Sequence, residues 1–277
     1  MTKFPYKRII SYGCSFTAGS ELTDHEIIGM DEKDLFSYVE KNNIKGTHQL
    51  FEFLKISEEK MHEIFASNAA TSWPNFISKH FNVPLANRAV PGTSLPHATY
   101  KLLNDLHYSA IEEDDLVIVG VTSPNRWFQF LENGDEGWGV FGIGWNTRFN
   151  VEYQKKLEEH WFNEYNIIYS HFKELTFLSD LSDRLGGRIK LCYTFGNPDY
   201  LKHFLSKELE NPNFANFFDF SVKMCPTHNF INLTTSISDL AGWRDDSKHH
   251  VFGHPRVQFH KQFANILIEK MEKMYND

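Results

Sequence analysis

The sequence has little cysteine, no excess of positive charge and no long apolar run. Its 3 cysteines lie far apart without a Cys-x-x-Cys pair, which excludes a disulfide scaffold and a cysteine zinc cluster and is typical of a reducing compartment. No run of about 18 apolar residues and no secretory leader pattern are present, so we expect a cytoplasmic protein without a membrane span. The formal net charge of −8, without a block of about five like charges, argues against a nucleic-acid partner.

The composition of the 277 residues predicts a globular chain with a sizeable core, since 41% are hydrophobic and 23% are charged. We find no internal repeat and no linker, so we expect a single domain over residues 1–277. Aromatic residues make up 15% of the chain, and many lie in polar surroundings, as in 127–145 and 213–220. They could form a Phe-rich core with aromatic side chains under long loops, or they could line a ligand cleft.

Strand and helix patterns alternate along the chain. Short apolar runs predict strands at 8–12, 83–89, 115–122 and 189–195, with a weaker fifth at 229–233. Two helical patterns begin at Ser72 and Ser94. Two longer ones cover 163–184, which ends before a Gly-Gly pair, and 256–275. This rhythm predicts an α/β fold, a three-layer α/β/α sandwich around a mostly parallel five-stranded sheet.

Two insertions interrupt the rhythm. Residues 23–70 form a helical insertion, and residues 124–160 are rich in Trp and Gly. Insertions at strand ends of an open α/β sheet are where specificity elements usually lie.

The segment SYGCSFTAGSEL, residues 11–22, directly follows the first predicted strand. It is not a P-loop, because five residues separate its glycines and Ser-Glu stands where Lys-Ser/Thr is needed. It lacks the Gly-x-Gly-x-x-Gly fingerprint because Ser15 takes the second glycine position, and it lacks the Gly-x-Ser-x-Gly elbow because Thr17 takes the last.

What remains is a serine among small residues just past a strand end. This position predicts a nucleophile, Ser15, at the carboxyl edge of the sheet. Cys14 is the alternative thiol nucleophile, but neighbouring side chains along a strand point to opposite faces, which places Cys14 in the core.

A base and an oxyanion donor are available elsewhere. His254-Pro255 stands just before the last helical pattern, where Pro suits the first turn, so His254 is a candidate base or a histidine without chemistry. Gly92, in NRAVPGTS, has an unshielded backbone N–H, although a plain Pro-Gly turn would look the same. His249, His250 and His260 suggest zinc, but they lack the His-Glu-x-x-His spacing, and we expect no metal.

Taken in order, GCSFTAG, NRAVPGTS and GHPRVQFHKQFA resemble the first, second and last blocks of the SGNH/GDSL hydrolase superfamily. The resemblance spans the chain as spaced blocks and leaves the two insertions outside. It implies a flavodoxin-like fold, Ser15 as nucleophile, His254 as base, and an oxyanion hole from the N–H groups of Ser15 and Gly92. It implies no cofactor.

The chain departs from the third block of that family, Gly-x-Asn-Asp. Pro124 takes the position of the oxyanion Asn. Asn125 is one residue away and could substitute, and Thr122 is another possible donor. Losing one oxyanion donor typically costs about 10²–10³ in rate.

The chain also departs from the last block. Val251 stands where the family often has an Asp three residues before the His. Asp245 and Asp246 are the nearest acids, and of these we favour Asp246 to orient His254; a backbone carbonyl could also do so.

The resemblance implies hydrolysis of small acyl esters, acetyl above all, on carbohydrates or similar small molecules. We expect the aromatic insertion to shape the alcohol side, through Arg126, Trp127, Trp138 and Trp145. The alternative is a binding or structural protein that kept the fold without catalysis, which the two departures favour. A phosphate-ester hydrolase is disfavoured by the acidic charge. The sequence indicates no oligomeric state.

Overall fold

The protein is a three-layer α/β/α sandwich. The computed structural model describes residues 4–44, 46–124, 126–130, 138–142, 145–146, 163–195, 197–242 and 253–276. The central sheet contains β1 (Arg8–Tyr12), β2 (Leu85–Asn87), β3 (Asp115–Val121), β7 (Ile189–Tyr193) and β8 (Phe230–Asn232). Its strand order is β2-β1-β3-β7-β8, and every pairing is parallel. Counting only these five strands, the order is 2-1-3-4-5 as in flavodoxin-like folds, which confirms the predicted fold class.

A second, antiparallel sheet lies within the Trp- and Gly-rich insertion. It contains β4 (Arg126–Phe130), β5 (Trp138–Gly142) and β6 (Trp145–Asn146), paired in that order. The sequence did not predict these strands. The glycines within this segment are typical of a loop, and the segment lacks the alternation of apolar and polar residues that indicates a strand.

The helices before β3 are α1 (Ser15–Ala18), α2 (Asp24–Ile28), α3 (Glu32–Lys41), α4 (Thr47–Phe53), α5 (Glu58–Thr71), α6 (Trp73–Phe81) and α7 (Leu95–His107). Those after it are α8 (Glu164–Arg184), α9 (Pro198–Phe204), α10 (Pro212–Met224), α11 (Ile237–Ala241) and α12 (Val257–Asn276). Ser94, where the predicted helix opens, caps α7 by accepting from the N–H of His97. Ser72 makes no side-chain cap, because its hydroxyl donates instead to Ala69 O of the preceding helix.

The core lies on both faces of the sheet. Strand β3 is buried along its whole length, as its continuous apolar run predicted. Successive residues of β1 point to opposite faces: Ile10 packs with α7, α8 and α10, whereas Ile9 packs with α6 and α12. Each fully buried Leu or Ile contributes about 1.5–3 kcal/mol, so these two layers fix the strand edges that carry the candidate site.

The first insertion forms helices α2 to α5 and has a small core of its own, made of Leu35, Val39, Ile44, Leu50, Phe51 and Ile64. The segment is therefore helical, as its sequence pattern predicted. Within the ranges that the structure describes, no helix is both long enough and apolar enough to cross a bilayer.

Candidate active site

Ser15 lies at the carboxyl edge of the sheet, as the first residue of the single-turn helix α1 directly after β1. The turn closes where Gly19, in the left-handed conformation at φ 81°, donates its N–H to Ser15 O at 2.8 Å. Ser15 is buried, with 5% of its surface exposed. Cys14 is fully buried in the core beneath, which confirms the prediction for that side chain.

Close packing holds α1 against β3. A Cβ atom added to Gly13 would lie 2.3 Å from Thr17 Oγ1, and one added to Gly120 would lie 2.2 Å from the same atom. Thr17 is fully buried between these two glycines. The glycine of the first block is therefore required by the approach of α1 to the sheet, and this approach fixes the position of Ser15.

The second block lies beside the first. The Asn87 amide accepts from Ser11 Oγ at 3.0 Å and donates to Thr17 O at 3.1 Å, while the Val90 N–H donates to Gly13 O at 3.0 Å. These bonds carry the chain on to Gly92, which has φ 76° and faces open space, since no atom lies within 4 Å of an added Cβ. The structure thus brings the Gly92 turn to the same edge as Ser15.

His254 lies at this edge as well, just before α12. Its Nδ1 is hydrogen-bonded to Glu21 Oε2, and its backbone N–H donates to the same oxygen at 3.4 Å. The imidazole meets the ring of Phe16 edge to face, with centroids 5.5 Å apart. Within the described contacts, Ser15 and His254 are not hydrogen-bonded to each other; they are neighbours through Phe16, the residue after Ser15.

Glu21 is the partner of His254 that the sequence interpretation missed. Its side chain is 3% exposed, and its backbone is left-handed at φ 66°. Glu21 did stand out in the sequence, six residues after Ser15, but only as an acidic residue at a position where a P-loop needs Ser or Thr. Nothing in the sequence connects it with a histidine 233 positions away.

The Glu21 contact has a chemical consequence for the imidazole. In the neutral imidazole, a carboxylate at Nδ1 favours the tautomer that has its proton on that nitrogen and its lone pair on Nε2. Nε2 is then the nitrogen that can accept a proton from a nucleophile.

A second buried acid stands beside this pair. Asp24 is 4% exposed, and its carboxylate accepts from Asn68 Nδ2 at 2.6 Å. The pKa of Asp24 is raised to about 6, chiefly by burial; the hydrogen bond from Asn68 lowers this pKa, and the neighbouring Glu21 carboxylate raises it.

The remaining predicted site residues lie outside the described residues, in the antiparallel sheet, or just after β3. Asn125 and Asp246 lie outside the described residues, as do His249 and His250. For Arg126, Trp127, Trp138 and Trp145 the structure gives backbone pairing in β4 to β6. Thr122, the alternative donor, is 1% exposed just after β3.

His260, once a candidate zinc ligand, has a structural bond instead. Its Nδ1 accepts from the Trp73 N–H at 3.2 Å, at the start of α6. Among the described residues, no three His, Cys, Asp or Glu side chains are grouped to hold a metal ion.

The chain has a flavodoxin-like fold, and the three blocks that resemble those of the SGNH/GDSL hydrolases converge on one sheet edge. Among solved structures, it is similar to LAE5, an α/β hydrolase from the metagenome of Lake Arreo, with TM-score 0.50 and 10% identity over 98% of each chain. It is also similar to a catalytic mutant of Axe2, an acetylxylan esterase of Geobacillus stearothermophilus (TM-score 0.49, 11% identity, 98% of this chain and 96% of that one). A third is a G-D-S-L lipolytic family member from Veillonella parvula, with TM-score 0.42 and 10% identity over 97% of this chain and 98% of the other.

The likeness to LAE5 concerns the fold alone, since the identity is 10%. The sequence matches no protein-family model, and no curated protein matches it.

Proposed function

We propose that the protein is a serine esterase that cleaves small acyl esters through an acyl-enzyme on Ser15. The observation that carries the proposal is the Glu21–His254 pair, which lies against α1 one residue from Ser15. A carboxylate-oriented imidazole beside a serine at a sheet edge is the arrangement that activates a hydroxyl for attack.

The reaction proceeds in two halves. His254 Nε2 takes the Ser15 Oγ proton as the oxygen attacks the ester carbonyl, and then gives that proton to the leaving alcohol. Water attacks the resulting acyl-serine with His254 again as base, and the proton returns to Ser15 as the carboxylic acid leaves. Glu21, in the role we expected of Asp246, stabilises the imidazolium in both halves.

The oxyanion is held by the backbone N–H groups of Ser15 and Gly92, with Asn125 as a third donor. The two blocks that carry the first pair are hydrogen-bonded to each other through Val90 and Gly13, which supports a shared hole.

The substrate class follows from the sequence resemblance. We propose acetyl or similar small acyl groups on a carbohydrate alcohol, with Arg126, Trp127, Trp138 and Trp145 of the antiparallel sheet on the alcohol side. The 3 free, buried cysteines support a reducing cytoplasmic setting.

The second candidate is a binding protein without catalysis. It is favoured by the missing Ser15–His254 hydrogen bond in the described contacts and by Pro124 at the Asn position of the third block. The first observation is weak against an enzyme, because catalytic hydrogen bonds are often long before substrate binds.

Intact mass after treatment with a fluorophosphonate probe separates the two candidates. We expect one adduct on the wild-type protein and on Ser37→Ala, whose serine is exposed on α3, and none on Ser15→Ala or His254→Ala. An unlabelled, well-folded wild-type protein would overturn the enzyme and leave the binding protein. A labelled protein is then assayed with p-nitrophenyl acetate and with acetylated sugars.

A further inference from the structure

The first insertion contacts the candidate site through one buried amide. Asn68 lies on α5 and is 3% exposed. Its Oδ1 accepts from the Thr23 N–H at 2.8 Å and from Thr23 Oγ1 at 3.0 Å, and its Nδ2 donates to Asp24 Oδ1 at 2.6 Å. Both ends of the amide are therefore used on residues just after Glu21.

The same helix contacts the other end of that segment. A Cβ atom on Gly19 would lie 2.6 Å from Asn68 O, so the backbone of α5 packs directly on the glycine that closes α1. Residues 19–24 are thus held against α5 at both ends, by backbone packing at Gly19 and by the Asn68 side chain at Thr23 and Asp24.

Glu21 lies in the middle of this segment, and its φ of 66° is unfavourable for a residue with a side chain. Such a conformation persists only where the surroundings over-determine it. The bonds of Asn68 supply that constraint, because the position of Thr23 and Asp24 sets the path of the chain through Glu21.

We propose that Asn68 is a positioning residue for the Glu21–His254 pair. This inference rests on the proposed function, since it concerns the acid of that mechanism. Asn68 does not touch His254; it fixes where the Glu21 carboxylate meets Nδ1. The first insertion therefore contributes to the proposed catalysis, because its residue Asn68 holds the proposed catalytic acid, Glu21, in position.

Asn68→Leu tests the proposal, since it removes both ends of the amide at similar volume. The Thr23 N–H and the Asp24 carboxylate would then be buried without partners, and the segment would rearrange. We expect kcat for p-nitrophenyl acetate to fall at least about tenfold with KM nearly unchanged. We also expect the downfield proton resonance of His254 Nδ1, assigned by its absence in His254→Asn, to shift or disappear.

Two further variants make the test specific. The double variant Asp24→Asn/Asn68→Asp exchanges the amide and the acid at one contact. It keeps the total charge and retains an acceptor for Thr23. We expect its kcat to be within about threefold of the wild-type value. Asn229→Leu is the matched control, because Asn229 is 1% exposed and donates to Asp183 at 2.8 Å near the starts of β7 and β8. It should lower stability and leave the His254 resonance unchanged.

Unchanged kcat and resonance in Asn68→Leu would overturn the proposal, and so would equal losses in Asn229→Leu. If Asn68→Leu does not fold, Asn68→Asp replaces it. Its two facing carboxyls share a proton at low pH and repel above neutrality, so its activity should fall with rising pH relative to wild type; superimposable profiles would contradict the proposal. The resonance does not require esterase activity, so failure of the proposed function, seen as no fluorophosphonate adduct, is distinguished from failure of this inference.

Discussion

Glu21 and His254 are 233 positions apart in the sequence, and one carboxylate oxygen of Glu21 accepts from both the side chain and the backbone of His254. The histidine is therefore fixed in ring orientation and in chain position by the same acid. This relationship makes Glu21 the first residue to test.

Glu21→Gln should lower kcat for p-nitrophenyl acetate by about 10²–10⁴, because the amide no longer stabilises the imidazolium and can favour the wrong tautomer. KM should change little, since the Glu21 side chain is buried. Glu59→Gln, at an exposed position of α5, is the control. Wild-type kcat in Glu21→Gln would reduce the contact to a structural one.

Gly120→Ala should destabilise the fold by about 1–3 kcal/mol, because the new methyl group would overlap Thr17 Oγ1. It should also slow fluorophosphonate labelling, since the displaced helix carries Ser15. Thr17→Ala makes room for the methyl group, so the double variant should recover part of both losses. Urea unfolding and labelling rates measure the two effects; additive losses in the double variant would show that the two positions do not interact.

The stability of the protein should fall between about pH 4 and pH 6 through Asp24. Its pKa is about 6 in the folded protein, against an ordinary value of 3.8 for an aspartate, so between these pH values the folded state binds more protons than the unfolded state. The free energy of unfolding then decreases as pH rises, by roughly 3 kcal/mol in total at 1.36 kcal/mol per unit.

Asp24→Asn keeps an acceptor for Asn68 and should abolish this decline, so its unfolding free energy should gain on that of wild type as pH rises. Urea unfolding at pH 4 and pH 7 measures the difference. Asp34→Asn, exposed on α3, should follow wild type. Parallel pH curves for Asp24→Asn and wild type would show that the Asp24 carboxyl titrates normally.

Glu32 and Arg256 form an ion pair between the first insertion and the residues that follow His254. Their side chains are 19% and 31% exposed, respectively, so the pair is partly shielded from solvent. Glu32→Gln should cost about 1 kcal/mol of stability, and a double-mutant cycle with Arg256→Met should give a coupling of similar size. Zero coupling by urea unfolding would mean that the pair adds nothing to the attachment of the insertion.

The sequence was sufficient to predict the central sheet, because the information that places its strands is local. Apolar runs and helical spacing place the five strands, and β3 is recognisable from Leu116 to Val121 alone. Strand β2 is shorter than the predicted 83–89, since only Leu85–Asn87 pairs with β1. The helix after His254 begins at Val257, so Pro255 precedes it rather than starting it.

The Glu21–His254 contact, on which the proposed catalytic acid rests, could not be predicted for the opposite reason. Glu21 becomes a partner of His254 only through a left-handed turn and a contact between the two ends of the chain. The role of Asn68 could not be predicted either, because the contacts of a single Asn side chain within a helical pattern do not follow from the sequence.

The position of Glu21 also sets the order in which the site is assembled during synthesis. Ser15 and Glu21 leave the ribosome together, whereas His254 follows 233 residues after Glu21, roughly 12–47 s later at about 5–20 residues per second. While these residues are made, a nascent chain therefore carries the proposed nucleophile and acid without the proposed base. The proposed site is complete only when α12 has packed on the sheet and brought its preceding loop to the Glu21 carboxylate.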